Sequence, residues 1–332
     1  MPELRRDPVT GRWVIFSTER SRRPADFATE KEEPLVASCP FCAGHEAQTP
    51  PEIYAVREPA SAPNGPGWRV RVVPNKFPAL RIEGDLDKQG EGLYDKMNGV
   101  GAHEVFVEGG EHATTITAIP GSIFRETVHA YRARLADLKN DRRLAYGLVF
   151  KNVGRRAGAS IAHNHSQLIA TPVVPITVRQ EIAGARQFFE YRGRCIYCDI
   201  LRQERASRAR IVLETDAFAA VVPYAARFPF ETWVVPTRHV SHFEDASAAE
   251  LDAFAETVLV VLGRLERSLG SPPYNLAIHT APFVDAPLDH YHWHLEIMPR
   301  VTETAGFEWG SGFYINPVLP EDAAKFLSNG TR

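Results

Sequence analysis

The chain has 332 residues and a formal net charge of −3, and 44% of its residues are hydrophobic and 24% charged. Such a composition is ordinary for a globular protein, and the charge gives no electrostatic reason to expect nucleic acid or an anionic membrane as a partner. Residues 1–8 lack the apolar core of a signal peptide, and the apolar run at residues 258–262 is far too short to cross a bilayer. These features predict a cytoplasmic protein that does not bind membranes.

In chain order, the first half opens with a Cys-x-x-Cys pair formed by Cys39 and Cys42. Strands are predicted at residues 68–74, 104–108 and 145–152, from runs of β-branched and aromatic residues. A helix is predicted at residues 124–140, where apolar residues recur at helical spacing. The half ends with the sequence His163-Asn-His-Ser-Gln167, in which polar groups dominate.

The second half repeats this order of parts. It runs from Cys195 and Cys198 through a strand at 217–222, His239, a long helix, a strand at 274–279 and finally His292-Trp-His-Leu-Glu296. The long helix is opened by a capping box of Ser247 and Glu250, and another helix at 178–191 links the halves. A spacing of about 150 residues indicates duplicated domains rather than a solenoid.

The predicted fold class follows from these parts. Strands alternating with one or two helices in each half favour an α+β fold with helices packed on antiparallel sheets. We therefore predict two tandem domains, residues 1–175 and 176–332, each an antiparallel sheet with packed helices.

All four cysteines of the chain lie in the two Cys-x-x-Cys pairs. In a reducing compartment such pairs more often bind zinc than form structural disulfides. Four cysteines and 12 histidines suit two Cys2His2 sites. The alternatives are a redox dithiol or two incidental pairs.

The polar motif at 163–167 is the best candidate for a catalytic site. In a strand, His163, His165 and Gln167 would share one face, with Asn164 and Ser166 on the other. Both histidines could bind one metal. They could also divide the labour, with His163 completing a tetrahedral site and His165 left free as a nucleophile.

Histidine suits attack on phosphorus, because neutral imidazole is a good nucleophile near pH 7. The attack requires that the Nδ1–H group of His165 be held by an acceptor, so that the lone pair of Nε2 faces the phosphorus. Gln167 could then donate to the phosphoryl oxygens. The alternative is that His165 is a second metal ligand or a satisfied buried histidine.

Candidate phosphate-binding groups surround this motif. Residues 154–160, Gly-Arg-Arg-Ala-Gly-Ala-Ser, offer backbone amides, two guanidinium groups and the hydroxyl of Ser160. Arg20, Arg22 and Arg23 form a second cationic cluster. Asn75 and Asn152 lie at strand ends, where amides can bind a ribose or a base. Solvated charges and turn-forming residues are the alternative for each of them.

Taken together, the motifs resemble the galactose-1-phosphate uridylyltransferases, the nucleotidyl-transfer branch of the histidine-triad superfamily. The resemblance extends from residues 7–13 to residues 314–317. It is most specific at Cys-Pro-Phe-Cys (39–42), Val-Pro-Asn-Lys-Phe-Pro (73–78) and Phe-Pro-Phe-Glu-Thr-Trp (228–233), besides the motif at 163–167. It implies a ping-pong reaction in which His165 takes uridylyl from UDP-glucose, releases glucose 1-phosphate and passes UMP to galactose 1-phosphate.

The resemblance also implies roles for individual residues. Gln167 would stabilise the covalent intermediate, Ser160 would contact the phosphate of the leaving sugar phosphate, and Arg20, Arg23, Asn75 and Asn152 would contact the nucleotide or its phosphates. Zinc would occupy one or two sites, with iron possible at one of them. The ligand sets would be Cys39, Cys42, His112 and His163, and Cys195, Cys198, His239 and His292. His45, His103 and His242 could each replace a ligand, and the choice between His239 and His242 is open.

The family's assembly also bears on the site. A homodimer is expected, in which residues 313–316 of one subunit approach the other's site. In the second half, His292-Trp-His-Leu-Glu296 is interpreted as a structural copy in which His292 binds metal and no residue is a nucleophile.

The motif departs from the common uridylyltransferase pattern, His-Pro-His-Gly-Gln, at Asn164 and Ser166. This variant is similar to the plant ADP-glucose phosphorylases, which transfer adenylyl and accept phosphate. The alternatives to uridylyl transfer are therefore an ADP-glucose phosphorylase or adenylyltransferase using the same histidine, and a histidine-triad nucleotide hydrolase. A zinc-stabilised binding module without catalysis is the third possibility.

Overall fold

The computed structural model describes residues 2–18 and 39–329 of the chain. Its strands are β1 (Glu3–Arg6), β2 (Trp13–Phe16), β3 (Tyr54–Arg57), β4 (Trp68–Pro74), β5 (Gln89–Glu91), β6 (Tyr94–Lys96), β7 (Ala102–Glu108), β8 (Tyr146–Val153), β9 (His165–Thr171), β10 (Ile211–Glu214), β11 (Phe218–Val221), β12 (Thr232–Pro236), β13 (Tyr274–His279), β14 (His294–Pro299) and β15 (Tyr314–Asn316). Its α-helices are α1 (Gly121–Leu138), α2 (Ile176–Arg192), α3 (Ile196–Ser207), α4 (Ala248–Leu269), α5 (Gly306–Ser311) and α6 (Pro320–Asn329).

Ten strands form one sheet in the order β10-β11-β12-β14-β13-β8-β9-β7-β4-β3. Every neighbouring pair in it is antiparallel. The first half of the chain supplies five adjacent strands and the second half the other five. The α+β class with antiparallel sheets and packed helices is therefore confirmed.

The two half-sheets meet where β8 pairs with β13, in a register that runs from Val153 opposite Tyr274 to Val149 opposite Ile278. We call this pairing the seam. It makes one sheet of the two that the sequence predicted. The boundary between residues 175 and 176, which falls between β9 and α2, stays a prediction.

Helices cover the two faces of the sheet unequally. On one face α1, α4 and α6 pack against both halves through a single core, to which Phe124, Leu262 and Leu327 contribute. On the other face α2 and α3 cover the second half only, where Tyr197 packs with Trp233. Among the described residues, no α-helix covers the first half on this second face, and a smaller apolar cluster there includes Phe41. That face is left for the Cys39–Cys42 segment and the polar motif.

The structure shows the start of helix α4 and the start of strand β9, both of which the sequence addressed. The capping box at the start of α4 is confirmed, because Ser247 Oγ accepts from the Glu250 amide and the Glu250 carboxylate accepts from the Ser247 amide. Strand β9 begins at His165, so His163 and Asn164 precede the strand instead of belonging to it. None of the helices in the described ranges combines the length and apolarity needed to cross a membrane.

A small sheet closes one side of the second half. Strands β1 and β2 form an antiparallel hairpin, and β15 joins β2 in parallel. The tip of this hairpin lies against α2 at Gly184, where an added Cβ atom would lie 1.8 Å from the carbonyl oxygen of Val9. Only glycine allows the hairpin and the helix to approach so closely.

Candidate active site and metal centres

The first predicted metal set is brought together by the fold. Cys39, Cys42, His112 and His163 each offer one ligand atom, and these four atoms all lie within 4.8 Å of one another. The Nδ1 atom of His163 is 3.6 Å from the Sγ atoms of both cysteines, and Nδ1 of His112 is 3.5 Å from Sγ of Cys42. His45 lies outside the set, since its Nδ1 donates to the carbonyl of Cys39.

These separations fit a tetrahedral metal. Zinc bonds of about 2.3 Å to sulfur and about 2.0 Å to nitrogen place the two ligand atoms about 3.5 Å apart at a tetrahedral angle. His163 is also oriented for the task, because its Nε2 donates to the carbonyl of Gly109 at 2.9 Å and its Nδ1 therefore carries the lone pair. Burial lowers the pKa of His163 to about 4, which keeps the ring neutral as a ligand must be.

The second predicted set is equally compact. The ligand atoms of Cys195, Cys198, His239 and His292 also lie within 4.8 Å of one another. His239 belongs to it because its Nδ1 is 3.5 Å from Sγ of Cys198 and its Nε2 donates to the carbonyl of Leu288. All four cysteines of the chain are free thiols.

The position of His242 separates it from this second set. Its Nδ1 contacts the hydroxyl of Ser241 at 2.9 Å, and its Nε2 donates to the carbonyl of Pro282 at 3.2 Å. Both ring nitrogens are therefore occupied away from the cysteines. His239, and not His242, is the histidine that the fold brings to Cys195 and Cys198.

His165 is held as a nucleophile would need to be. Its Nδ1 donates to the carbonyl of His163 at 2.7 Å, which leaves the lone pair on Nε2. Its ring packs edge-on against Phe41 at 5.3 Å. Burial lowers the pKa of His165, so the ring is neutral near pH 7. His163 therefore contributes to both sites: its ring belongs to the metal set, and its backbone carbonyl orients the nucleophile.

Gln167 is oriented by His103, a residue the sequence offered only as a substitute ligand. The backbone amide of Ala79 donates to Nδ1 of His103, so Nε2 carries the proton and donates to Oε1 of Gln167 at 2.8 Å. This turns the NH2 group of Gln167 away from His103. Asn75 lies at the same edge of the ring, its Nδ2 3.0 Å from Nε2 of His103.

Asn152 and Ser160 lie beside the nucleophile strand. Asn152 is next to the turn of residues 154–158, whose glycines Gly154 and Gly158 have φ values of 81° and 92°. Its Oδ1 accepts a hydrogen bond from Asn275 on β13. Ser160 is exposed in the loop that leads into His163. The predicted contacts Arg20 and Arg23, with their neighbour Arg22, fall outside the described residues.

The comparisons with known proteins agree over nearly the whole chain. A profile of the galactose-1-phosphate uridyl transferase N-terminal domain matches residues 1–175, and the C-terminal domain profile of the same family matches residues 181–308. The chain belongs to the galactose-1-phosphate uridyl transferase family. Membership confirms the resemblance and the enzyme class predicted from the motifs, a nucleotidyltransferase.

Individual members of the uridyl transferase family span nearly the same length. ADP-glucose phosphorylase from Arabidopsis thaliana is 38% identical, covering 98% of this chain and 92% of that protein. Galactose-1-phosphate uridylyltransferase from Thermotoga maritima is 30% identical, covering 98% of each chain. A crystal structure of an ADP-glucose phosphorylase from Arabidopsis thaliana with bound ADP-glucose matches this structure with a TM-score of 0.84 and 37% identity, covering 99% of both chains.

In this uridyl transferase family member, the second half repeats the geometry of the first at a histidine that is more deeply buried, since His294 is 0% exposed and His165 7%. Nδ1 of His294 donates to the carbonyl of His292 at 3.1 Å, as His165 does to His163. However, Nε2 of His294 is buried without a hydrogen-bond partner among the described residues. The rings of Tyr197 and Trp233 lie against it, each at 5.2 Å.

A third buried group joins His294 and Glu296 of the second motif to two residues that the sequence did not mark, Glu181 and His279. Glu181, His279, His294 and Glu296 offer four ligand atoms within 4.8 Å of one another. His279 donates to Glu181 at 2.9 Å, and the burial of its imidazolium is outweighed by the two carboxylates, which raise its pKa to about 9. Glu181 lies on α2, far in sequence from the other three, and no motif marks it.

Proposed function

We propose that the protein transfers a nucleoside monophosphate from a nucleotide sugar to a second phosphate-bearing acceptor, through a covalent intermediate on His165. The observation that carries the proposal is the hydrogen bond from Nδ1 of His165 to the carbonyl of His163. It fixes the tautomer in which Nε2 is the nucleophile.

The reaction has two steps. Nε2 of His165 attacks the α-phosphorus, a P–N bond forms, and the bond from that phosphorus to the bridging oxygen breaks, so that the sugar phosphate leaves with the electron pair. The imidazolium charge that develops is stabilised by the His163 carbonyl acting on Nδ1–H. The NH2 group of Gln167, oriented by His103, donates to the phosphoryl oxygens. A phosphate oxygen of the acceptor then attacks the same phosphorus and releases the ring.

Two residue groups would hold the substrates. Asn75 and Asn152, with Arg20 and Arg23, would contact the nucleotide and its phosphates, while Ser160 would contact the departing sugar phosphate. Asn75 and Asn152 lie near opposite edges of the nucleophile strand. Asn75 contacts His103 on the neighbouring strand β7, and Asn152 lies on the other neighbour, β8, next to the turn of residues 154–158.

The first donor and acceptor pair we propose is UDP-glucose and galactose 1-phosphate, the pair implied by the family that both domain profiles describe. ADP-glucose with inorganic phosphate as acceptor is the second candidate. It is supported by the 38% identity to the ADP-glucose phosphorylase, against 30% to the Thermotoga uridylyltransferase. Asn164 and Ser166 in the motif favour the same candidate.

Zinc is the proposed metal of both Cys2His2 sets, because two thiolates and two imidazoles at tetrahedral spacing suit it. Four protein ligands leave no open position, so the metal would be structural and would lock His163. We also propose a homodimer, supported by the family resemblance. The cytoplasmic location stays a prediction.

Intact-mass spectrometry after mixing the protein with UDP-glucose or ADP-glucose tests the proposal. The adduct mass names the base, and loss of the adduct in His165→Ala identifies the nucleophile. Adding galactose 1-phosphate, inorganic phosphate or buffer alone then shows which acceptor removes the nucleotide, and removal by water alone would indicate a hydrolase. If the wild type forms no adduct with any donor while nucleotide binding is the same in His165→Ala, the protein is a binding module instead.

A further inference from the structure

We propose that Glu108 is a positioning residue for His165, and that its buried carboxylate sets the location of the nucleophile through the four polar side chains that surround it. The inference rests on the proposed function, since it concerns the same histidine. It assigns a role to the two motif residues on either side of His165 in the chain, Asn164 and Ser166, whose side chains both contact Glu108.

The carboxylate of Glu108 is fully buried between the sheet and α1. Its Oε2 accepts from Nζ of Lys151 at 2.9 Å and from Nδ2 of Asn164 at 2.8 Å. Its Oε1 lies 2.6 Å from the hydroxyl of Ser166 and 3.0 Å from that of Tyr131, and these two hydroxyls lie 2.7 Å from each other. The ammonium group, the amide and the pair of hydroxyls therefore surround both oxygens of the anion with hydrogen-bonding groups.

The Glu108 carboxylate binds the residues immediately before and after the nucleophile. Asn164 precedes His165 and Ser166 follows it, and both side chains bind Glu108. The ammonium group of Lys151, besides pairing with Glu108, donates to the backbone carbonyl of His165 at 2.8 Å. Three consecutive residues, 164–166, are thus held by hydrogen bonds to Glu108 or to Lys151, its ion-pair partner.

The energetics favour positioning over stability as the purpose. Burying a lysine and a glutamate is costly, and apolar residues of similar volume often stabilise a core as well or better. Here the Lys151–Glu108 pair contacts the backbone of His165, whose Nε2 must reach a phosphorus atom. A misplacement of about 1 Å can slow a reaction about 100-fold, so a rigid anchor at this place has a large effect on rate.

Ser166→Ala and Tyr131→Phe test the inference, because each removes one neutral hydroxyl from the group around Glu108 and leaves the Lys151–Glu108 ion pair in place. The formation rate of the His165 adduct at saturating nucleotide sugar is expected to fall about tenfold in each variant. Donor affinity, measured with the same substitution in the His165→Ala background, should match that of His165→Ala alone. Metal content should not change.

Thr127→Ala is the matched control. Thr127 is buried on α1 and its hydroxyl donates to the carbonyl of Ile123, so the substitution removes a buried hydroxyl without touching Glu108. Its adduct formation should equal that of the wild type. Glu108→Gln is a stronger variant, since it removes the charge that pairs with Lys151 and replaces one acceptor oxygen by an NH2 group, and it should be slower than Ser166→Ala.

The outcomes separate the two proposals. If the wild type forms no adduct, the proposed function fails. If the wild type forms an adduct and Ser166→Ala and Tyr131→Phe form it at the same rate, the positioning role is overturned while the function stands. A rate loss that is matched by an equal loss of donor affinity, or by an equal loss in Thr127→Ala, also overturns it.

Discussion

The side-chain NH2 group of Asn275 donates a hydrogen bond of 2.8 Å to Oδ1 of Asn152, across the seam between β13 and β8. A second bond of 2.8 Å runs from the same group to the carbonyl of Ala157 in the adjacent turn. Because its oxygen is occupied, Asn152 presents its own NH2 group toward the turn at Gly158. A residue of the second half therefore orients a proposed substrate contact of the first.

Asn275→Ala should free the amide of Asn152 to rotate and lower kcat/KM about tenfold, an effect of about 1.4 kcal/mol on the transition state. Steady-state kinetics of Asn275→Ala, Asn152→Ala and the double variant measure it. The two losses should be less than additive, because both residues act through one contact. Asn140→Ala, which removes an exposed amide bonded to the carbonyl of Ala136, is the control. Full additivity in the cycle would argue against the orienting role.

The two Cys2His2 sets should differ in their effect on catalysis. Cys39→Ser and Cys195→Ser are each expected to lose one metal per chain and to lower the melting temperature. Only Cys39→Ser should slow adduct formation, by about 10- to 100-fold, since His163 links that set to His165. Elemental analysis and adduct kinetics test this. Equal slowing in both variants would show that the second set also governs the nucleophile.

Gly184→Ala should destabilise the fold, because the added methyl group would collide with the carbonyl of Val9 and push the β1–β2 hairpin off α2. Overpacking of this kind costs about 1–3 kcal/mol in the free energy of unfolding. Urea unfolding measures it. Gly306→Ala is the control, as nothing lies within 4 Å of its added Cβ atom. A Gly184→Ala variant as stable as Gly306→Ala would contradict the close approach.

The capping box of α4 gives a pH prediction. Hydrogen bonds from Arg238, then from Ser247, lower the pKa of Glu250 to about 2 against about 4.3 in an unfolded chain. Since the folded pKa is the lower one, the stabilisation is complete above about pH 5 and is lost as the pH falls from there toward 2. The stability difference between wild type and Glu250→Gln should therefore shrink between pH 6 and about pH 3, without any change in adduct formation at pH 7. A constant difference would mean that the ionised carboxylate contributes nothing.

Much of the fold was predictable because its signals are local. The capping box of α4 and the strand at 68–74 depend on spacing within a few residues, and both are present as predicted. The grouping of each Cys-x-x-Cys pair with two histidines followed from the family resemblance. The choice of His239 over His242 did not, since it depends on which ring reaches Cys198 in space.

The contacts of Asn164 and Ser166 could not be predicted from the sequence. Alternation places Asn164 and Ser166 away from His165, and the sequence left them as the doubtful slots of the motif. Their partner Glu108 lies 58 residues from Ser166 in the chain, and Tyr131 lies 35 residues from it. Nothing in the local pattern of these residues shows that they converge. The same holds for Glu181 and His279, which are 98 residues apart.

The seam carries a consequence for how such a chain could have arisen. Antiparallel pairing of equivalent strands, β8 with β13, is the contact that a two-fold axis creates between identical subunits. The chain is arranged like a symmetric dimer of half-length proteins whose subunits have become covalently joined and have since diverged. Cut between β9 and α2, the two fragments would each expose a long unpaired central strand, and they should recover activity only when mixed.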